Sequence, residues 1–323
     1  MPAVIAGYAR SPFTPSKRGA LARTRPDDIA ATVVNGLIRE TGVDPSLIED
    51  LIVGTAFPEA EQGFNVARMI TFLTDLPETV PGVTINRFCG SSMQAIHTAA
   101  GAIAKKILKK QGVSVHGFVS EIGQVKADSI NHKDINNKYF FCDESKLADL
   151  DSMFKDLIDE GNSVGAKLGV VVENCPVGLG DPVFEKLDAN LAKAIMTINA
   201  VKSVSIGNAD DLLNLKGSEA RDEMTSSGYA SNNSGGILGG ISNGDDISLS
   251  FIIKPTSSIK SKGKTVNKDG EEVDIEVTGR HDPCVGIRAV PIAEAMVSLV
   301  LVDHLLINRA QCAEVKQELP FSE

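Results

Sequence analysis

The first hundred residues alternate short apolar runs with helical stretches, and this alternation restricts the possible folds more than any other feature of the chain. Val4, Ile5 and Ala6 form one run, Leu51 to Gly54 a second and Val83 to Ile85 a third. Runs this short, rich in β-branched residues, suit strands buried on both faces. After Pro26, Asp27 and Asp28, apolar residues at Ile29, Val33, Leu37 and Ile38 share one helical face. The two acids lie at the positive end of that helix dipole. A short helix fits Asn65 to Leu73, and another opens near Cys89. Strands separated by helices predict a parallel, helix-covered sheet, and three strands leave such a sheet incomplete.

Beyond Lys105 the texture changes. Val113, Val115, Phe118 and Val119 suggest a strand, and Gly169 to Val172 another. Leu147, Leu150, Phe154, Leu157 and Ile158 mark an amphipathic helix, as do Leu187, Leu191 and Ile195. From Ile247 to Ile253 apolar residues alternate with polar ones over the first half, the signature of a half-exposed strand. Lys268, Asp269 and Gly270, between Val266 and Val273, form a hairpin turn signal. A last helix is expected from Pro291, a good first-turn residue, to about Leu306. Hairpins mixed with helices predict an α+β arrangement for this part. The fold class is therefore α/β plus α+β, with two regions, 1–104 and 105–323.

The formal charge is −10, from 32 basic and 42 acidic residues, and the acidic excess is spread over both regions. That disfavours nucleic acid and membrane surfaces as partners and requires a local cluster of cations for any anionic ligand. Five cysteines, Cys89, Cys142, Cys175, Cys284 and Cys312, are an odd number with no CxxC pair. This suits a reducing cytoplasm and argues against a disulfide framework or a structural metal site. The N-terminus does not have the pattern of a signal peptide. The apolar stretch Ala295 to Val302, between Glu294 and Asp303, is too short to span a bilayer.

Cys89 follows a predicted strand and opens a predicted helix, within the run Asn86 to Ser92. A thiol at a helix N-terminus lies in the dipole's positive field, which favours the thiolate. The plainer alternative is a small buried residue filling the strand-to-helix turn. Residues 3 to 104 resemble the start of a thiolase, through Ala3 to Ile5, Arg10 to Phe13, the helix after Pro26, and Asn86 to Ala95. The resemblance implies that Cys89 takes up an acyl group. The family's His motifs and its second catalytic Cys are not found in this sequence.

Four clusters stand out further along. Ser231 to Gly240 is a Gly-rich turn whose backbone amides could approach a planar cofactor or a phosphate. Lys254 to Ser258 offers an ammonium and hydroxyls after a strand, Gly279 to Cys284 concentrates a cation, an imidazole and a carboxylate, and Arg288 stands before Pro291. Any one alone reads as a solvated loop. Residues from about Ala99 to Lys316 resemble a chorismate synthase, through Ala99 to Lys106, Pro176 to Phe184, Ile198 to Lys202 and all four clusters. The resemblance implies conversion of 5-enolpyruvylshikimate 3-phosphate to chorismate and phosphate, with reduced FMN as cofactor and no net redox change. It implies flavin contacts at Asn199, Ala200, Gly239, Lys254, Pro255, Thr256, Ser257, Ser258 and Arg280. It also implies a proton-handling acid at Asp282 and a substrate contact at Arg288, with His281 either in the site or a packed neighbour. It further implies a small anionic substrate as partner and a homo-oligomer.

The family's Gly-Glu-Ser-His-Gly, Arg-Pro-Gly-His and Arg-Ser-Ser-Ala-Arg motifs are not found in this sequence. A substrate with two carboxylates and a phosphate calls for several bidentate arginines. Residues 105–323 hold four: Arg221, Arg280, Arg288 and Arg309. The two resemblances meet in the string Ala99 to Ala104, in frame and in helical phase. The expected fold is an incomplete thiolase-like βαβαβα half followed by a partial chorismate synthase β-α-β sandwich. Three functional readings follow: a chorismate synthase-type lyase, a thiolase-type acyltransferase using Cys89, and a non-catalytic fusion product.

Overall fold

The computed structural model describes residues 7–15, 17–86, 91–132, 135–226, 228–257, 259–276 and 282–312. The chain divides into two compact units, Met1–Ile103 and Ala104–Glu323.

In the first unit, helix α1 is Pro26–Thr41, strand β1 Leu51–Gly54, helix α2 Val66–Phe72 and strand β2 Gly82–Ile85. Helix α3, Ser91–Lys109, is one continuous element that contains the division between the units. Pro26 starts α1 with an amide that needs no helical partner, and Gly42 ends it at φ +65°. Strands β1 and β2 pair in parallel, with Leu51 opposite Gly82, as the apolar runs predict. The run Val4 to Ala6 lies outside the described residues. Asn65 caps α2 by accepting the Arg68 N–H, and its side-chain amide donates to the Gly82 carbonyl at 2.7 Å, which ties α2 to β2. Ala31, Val66 and Ile70 form a small core, while Phe13, Phe57 and Phe64 are exposed.

The second unit is built on a five-stranded antiparallel sheet. Its strands are β3 (Ser114–Ile122), β4 (Val125–Lys126), β5 (Ala166–Glu173), β6 (Val201–Ile206) and β11 (Ile247–Ile253), in the order β4-β3-β5-β11-β6. Between β6 and β11 lie the short helices α6 (Ala209–Leu212) and α7 (Gly217–Ala220), and the two-residue strands β7 (Met224–Thr225), β8 (Gly228–Tyr229), β9 (Ile237–Leu238) and β10 (Ile241–Ser242). The expected hairpin is present as β12 (Gly263–Val266) and β13 (Glu272–Ile275), closed by Gly270 at φ +82°. The predicted amphipathic helices are α4 (Leu147–Glu160) and α5 (Leu187–Met196), and the last helix is α8 (Gly286–Cys312).

One face of the sheet builds the core. Ile247, Leu249, Phe251 and Ile253 of β11 and Leu168, Val170 and Val172 of β5 are all buried, with more accessible residues between most of them. Burying each such side chain is worth about 1.5–3 kcal/mol. Helices α5 and α8 pack on this face, α8 through Ala289, Val290, Ala293, Val297, Leu301 and Leu305. Gly117 permits the close approach of α8. A Cβ there would lie 2.8 Å from Glu294 Cγ and 3.2 Å from the Val290 carbonyl oxygen.

Helix α8 departs from the sequence expectation. It begins at Gly286 rather than Pro291 and runs for 27 residues, with Pro291 in its interior. The stretch Ala295 to Val302 therefore belongs to a helix long and apolar enough to cross a membrane by length and composition, 44% of whose most apolar window is buried in this fold. Its buried residues face the sheet and α5, which makes it the core helix of this unit.

Candidate functional site

Residues from four separate segments converge at one end of the sheet, where β11 ends and β5 and β6 begin. The turn after α5 carries Asn199 and Ala200, and the Lys254 N–H donates to the Ala200 carbonyl at 2.9 Å. Ala200 is held at φ +69°, a left-handed conformation that costs a non-glycine residue about 1–2 kcal/mol. Asn199, Lys254, Pro255 and Ser257 are exposed and Thr256 is half-buried. Ser163 Oγ, in the loop from α4 to β5, donates to the Thr256 carbonyl at 2.7 Å. The next amide, Val164 N–H, donates to the Pro283 carbonyl at 2.8 Å. That bond brings the segment from Asp282 to Arg288 to the same end.

Asp282 accepts from the Arg288 guanidinium at 2.8 Å, with the arginine side chain 61% exposed and the aspartate 32%. Arg288 thus has a carboxylate partner within its own segment. Burial pushes the Cys284 thiol up, opposed by the amides of Gly286 and Ile287 at the start of α8. Cys284 is inert packing rather than a nucleophile. The other described arginines of this unit are engaged elsewhere. Arg221 pairs with Glu223, and Arg309 donates to Gln111 Oε1 at 2.8 Å. Arg280, His281 and Ser258 lie outside the described residues.

Gly239 is not part of this convergence. The Gly-rich turn packs where β11 begins, with Gly235 accepting the Ser248 N–H at 3.3 Å and Gly240 accepting the Leu187 N–H at 2.8 Å. The length of β11, seven residues and about 20 Å at strand rise, separates it from Lys254. The family resemblance groups Gly239 with the others by motif, and a motif does not say which end of a strand each turn occupies. Sequence reasoning passed over Ser163, which reads as an ordinary loop residue between a helix and a strand.

The donor set at the converged end suits a phosphate-bearing cofactor such as FMN. The ammonium of Lys254, the hydroxyls of Thr256 and Ser257 and the amide of Asn199 carry no side-chain hydrogen bond among the described residues, and Ala200 holds its backbone in a strained turn beside them. Ammonium and hydroxyl donors match phosphate and ring-carbonyl acceptors.

Cys89 lies outside the described residues, but its flanks do not. Asn86 donates through Nδ2 to the carbonyls of Thr55 and Ala56 at 2.8 and 2.9 Å, and Ser91 Oγ donates to the Thr55 carbonyl at 3.0 Å. Asn86 and Ser91, the described residues on either side of Cys89, therefore both bond to the segment that follows β1.

Comparison with known proteins gives two family matches. Residues 86–306 match chorismate synthase, and residues 3–132 match the thiolase N-terminal domain. A solved chorismate synthase structure is 26% identical with a TM-score of 0.54, over 67% of this chain and 63% of that one. The chain thus spans less than two thirds of that enzyme's length. The acetyl-CoA acetyltransferase from Syntrophomonas wolfei aligns over 78% of this chain and 64% of its own, at 15% identity and a TM-score of 0.28. Through residues 86–306 the chain belongs to the chorismate synthase family, in a chimera with a thiolase-type N-terminal segment.

Proposed function

We propose that residues 105–323 carry the flavin-facing part of a chorismate synthase-type carbon–oxygen lyase and that this chain binds reduced FMN without turning over 5-enolpyruvylshikimate 3-phosphate by itself. The observation that supports this reading best is the convergence of Asn199, Ala200, Lys254, Thr256 and Asp282 at one end of the sheet, inside the family match at 86–306. Lys254 and the hydroxyls of Thr256, Ser257 and Ser258 would hold the polar end of FMN, with Asn199, Ala200, Pro255 and Arg280 beside the ring. Gly239, on this reading, belongs with the flavin only if a second copy brings its turn to this end, in keeping with a homo-oligomer. When bound, reduced FMN supplies electron density for C–O cleavage that is recovered at the end of the reaction. Asp282 would be the proton-handling acid beside the flavin, and Arg288 would turn from Asp282 to the anionic substrate. The setting is a soluble cytoplasmic enzyme with no nucleic-acid or membrane partner.

Electrostatics set the limit on turnover. The substrate carries two carboxylates and a phosphate, and charged groups of that kind need bidentate arginine contacts to offset their desolvation. Arg221, Arg288 and Arg309 each have an internal partner, two of them in separate parts of the unit. The test is an anaerobic titration of reduced FMN, with the flavin signal as readout, alongside a chorismate assay. Expected are saturable FMN binding, at least a tenfold loss in Lys254→Ala and Arg280→Ala, and no chorismate above a control without protein. Absence of FMN binding overturns the flavin assignment, and measurable turnover overturns the statement on competence.

A second reading, acyl transfer through Cys89, draws on the thiolase match at 3–132 and the bonds of Asn86 and Ser91 to the segment after β1. Acyl transfer also needs a base and an oxyanion site, and the family's motifs for these are not found in this sequence. Incubation with acetyl-CoA followed by intact-mass measurement decides it. An added acetyl group that is lost in Cys89→Ser supports transfer, and an unmodified mass excludes it.

A further inference from the structure

We propose that Ser163 is a positioning residue for the flavin end of the sheet, fixing the Lys254–Ser257 segment against the Asp282–Arg288 segment through the loop between α4 and β5. This rests on the flavin reading given above. The five residues from Gly161 to Gly165 touch three segments far apart in sequence. Gly161 ends α4 at φ +64°, and its carbonyl accepts the Lys260 N–H at 3.1 Å. Ser163 Oγ reaches the Thr256 carbonyl at 2.7 Å, and the Val164 amide reaches the Pro283 carbonyl at 2.8 Å. The Gly165 carbonyl accepts the Gly123 N–H at 3.0 Å, and a Cβ on Gly165 would lie 2.6 Å from the Ile253 carbonyl oxygen and 3.3 Å from Pro255 Cδ.

Three of these hydrogen bonds are made by backbone. Among the described residues of the loop, Ser163 supplies the side chain that bonds to the 254–257 segment. Its hydroxyl fixes the peptide plane that follows Thr256. That plane sets where the Thr256 and Ser257 hydroxyls point relative to Lys254 on one side and Asp282 on the other. Ser163 itself is half-buried and three residues from the end of the preceding helix, so its hydroxyl contributes little to the core. Its effect should fall on ligand geometry rather than on folding, because groups that orient a binding constellation act through the residues they hold.

The experiment is FMN titration into the full chain and into Ser163→Ala, Ser163→Thr, Thr256→Val and the Ser163→Ala/Thr256→Val double variant, with near-UV circular dichroism confirming native packing in each. Losing one hydrogen bond should weaken FMN binding by about three- to tenfold in Ser163→Ala. Ser163→Thr, which keeps the hydroxyl, should restore it. If Ser163 acts through the Thr256 hydroxyl, the loss should largely vanish in the Thr256→Val background, since residues acting on one contact are not additive. Equal binding by Ser163→Ala, failure of the threonine to restore it, or a fully additive double variant overturns the positioning role and leaves the flavin reading standing. No FMN binding by the parent chain overturns both.

Discussion

Replacing Glu294 by alanine should destabilise the second unit by about 2–3 kcal/mol, most of it from one hydrogen bond. Glu294 uses both carboxylate oxygens. Oε1 accepts the main-chain N–H of Gly117 at 2.7 Å, and Oε2 pairs with Lys105 Nζ at 2.5 Å. The first is a charge-assisted bond made where α8 lies against β3, and bonds to charged groups are worth about 1.5–3 kcal/mol. The second is less valuable, because the Lys105 side chain is 38% exposed and pairs so exposed contribute about 0.2–1 kcal/mol. Lys105→Met should therefore cost at most about 1 kcal/mol, and Glu294→Gln, which keeps an acceptor for Gly117, should fall between the two. In thermal terms the alanine variant should lose about 4–12 °C for a unit of this size. Urea unfolding followed by far-UV circular dichroism measures all three. If Lys105→Met costs as much as Glu294→Ala, or Glu294→Ala costs less than about 0.5 kcal/mol, the division between amide bond and ion pair is wrong.

Two further outcomes concern titratable groups. Burial pushes the Cys142 thiol up to about 11 and the Cys175 thiol up to about 12, so at pH 8 in the native state both should resist iodoacetamide and appear unmodified in peptide mass spectra, and alkylation of either within minutes would contradict their burial. The Asp143 carboxylate lies below the usual carboxylate range because Ser145 Oγ and the amides of Asp128, Ser129 and Ser145 donate to it. A depressed carboxylate stabilises the fold above its unfolded value, near pH 3.9, and that stabilisation is lost as pH falls through the lower folded value. The gap in urea midpoint between the parent chain and Asp143→Ala should therefore be full at pH 6 and close as the pH drops below about 4, and a gap independent of pH would refute this.

Most elements were legible because their periodicity is local. The alternation that begins at Ile247 appears as a strand with Ile247, Leu249, Phe251 and Ile253 buried and Ile252 exposed, and Leu150, Phe154 and Leu157 bury one face of α4. Gly270 closes the hairpin that its turn residues predict. The start of α8 was misplaced because proline usually opens a helix. Here Pro291 forfeits one internal hydrogen bond while Gly286 to Val290 pack their apolar side against the sheet, and burial outweighs that loss. Strand β6 was passed over because Val201 to Ile206 mixes serine and lysine with apolar residues, and its pairing with β11 supplies what periodicity does not.

The candidate site divides the same way. Residue types in the clusters around Lys254, Asp282 and Arg288 are legible in the sequence as an ammonium, hydroxyls, a carboxylate and a guanidinium, whereas the flavin reading rests on the family resemblance. The sequence by itself also determined the chorismate synthase membership, the match to a thiolase N-terminal domain and the continuity of the helix in which the two matches meet. Tertiary structure alone decided that Asn199, Lys254 and Asp282 share one end of a sheet while Gly239 takes the other, that Arg288 turns toward Asp282, and that Ser163 and Glu294 hold segments 93 and 177 residues away. The physical reason is that hydrogen bonds across a sheet and under a helix depend on strand order and register, which long-range burial selects and no local spacing encodes.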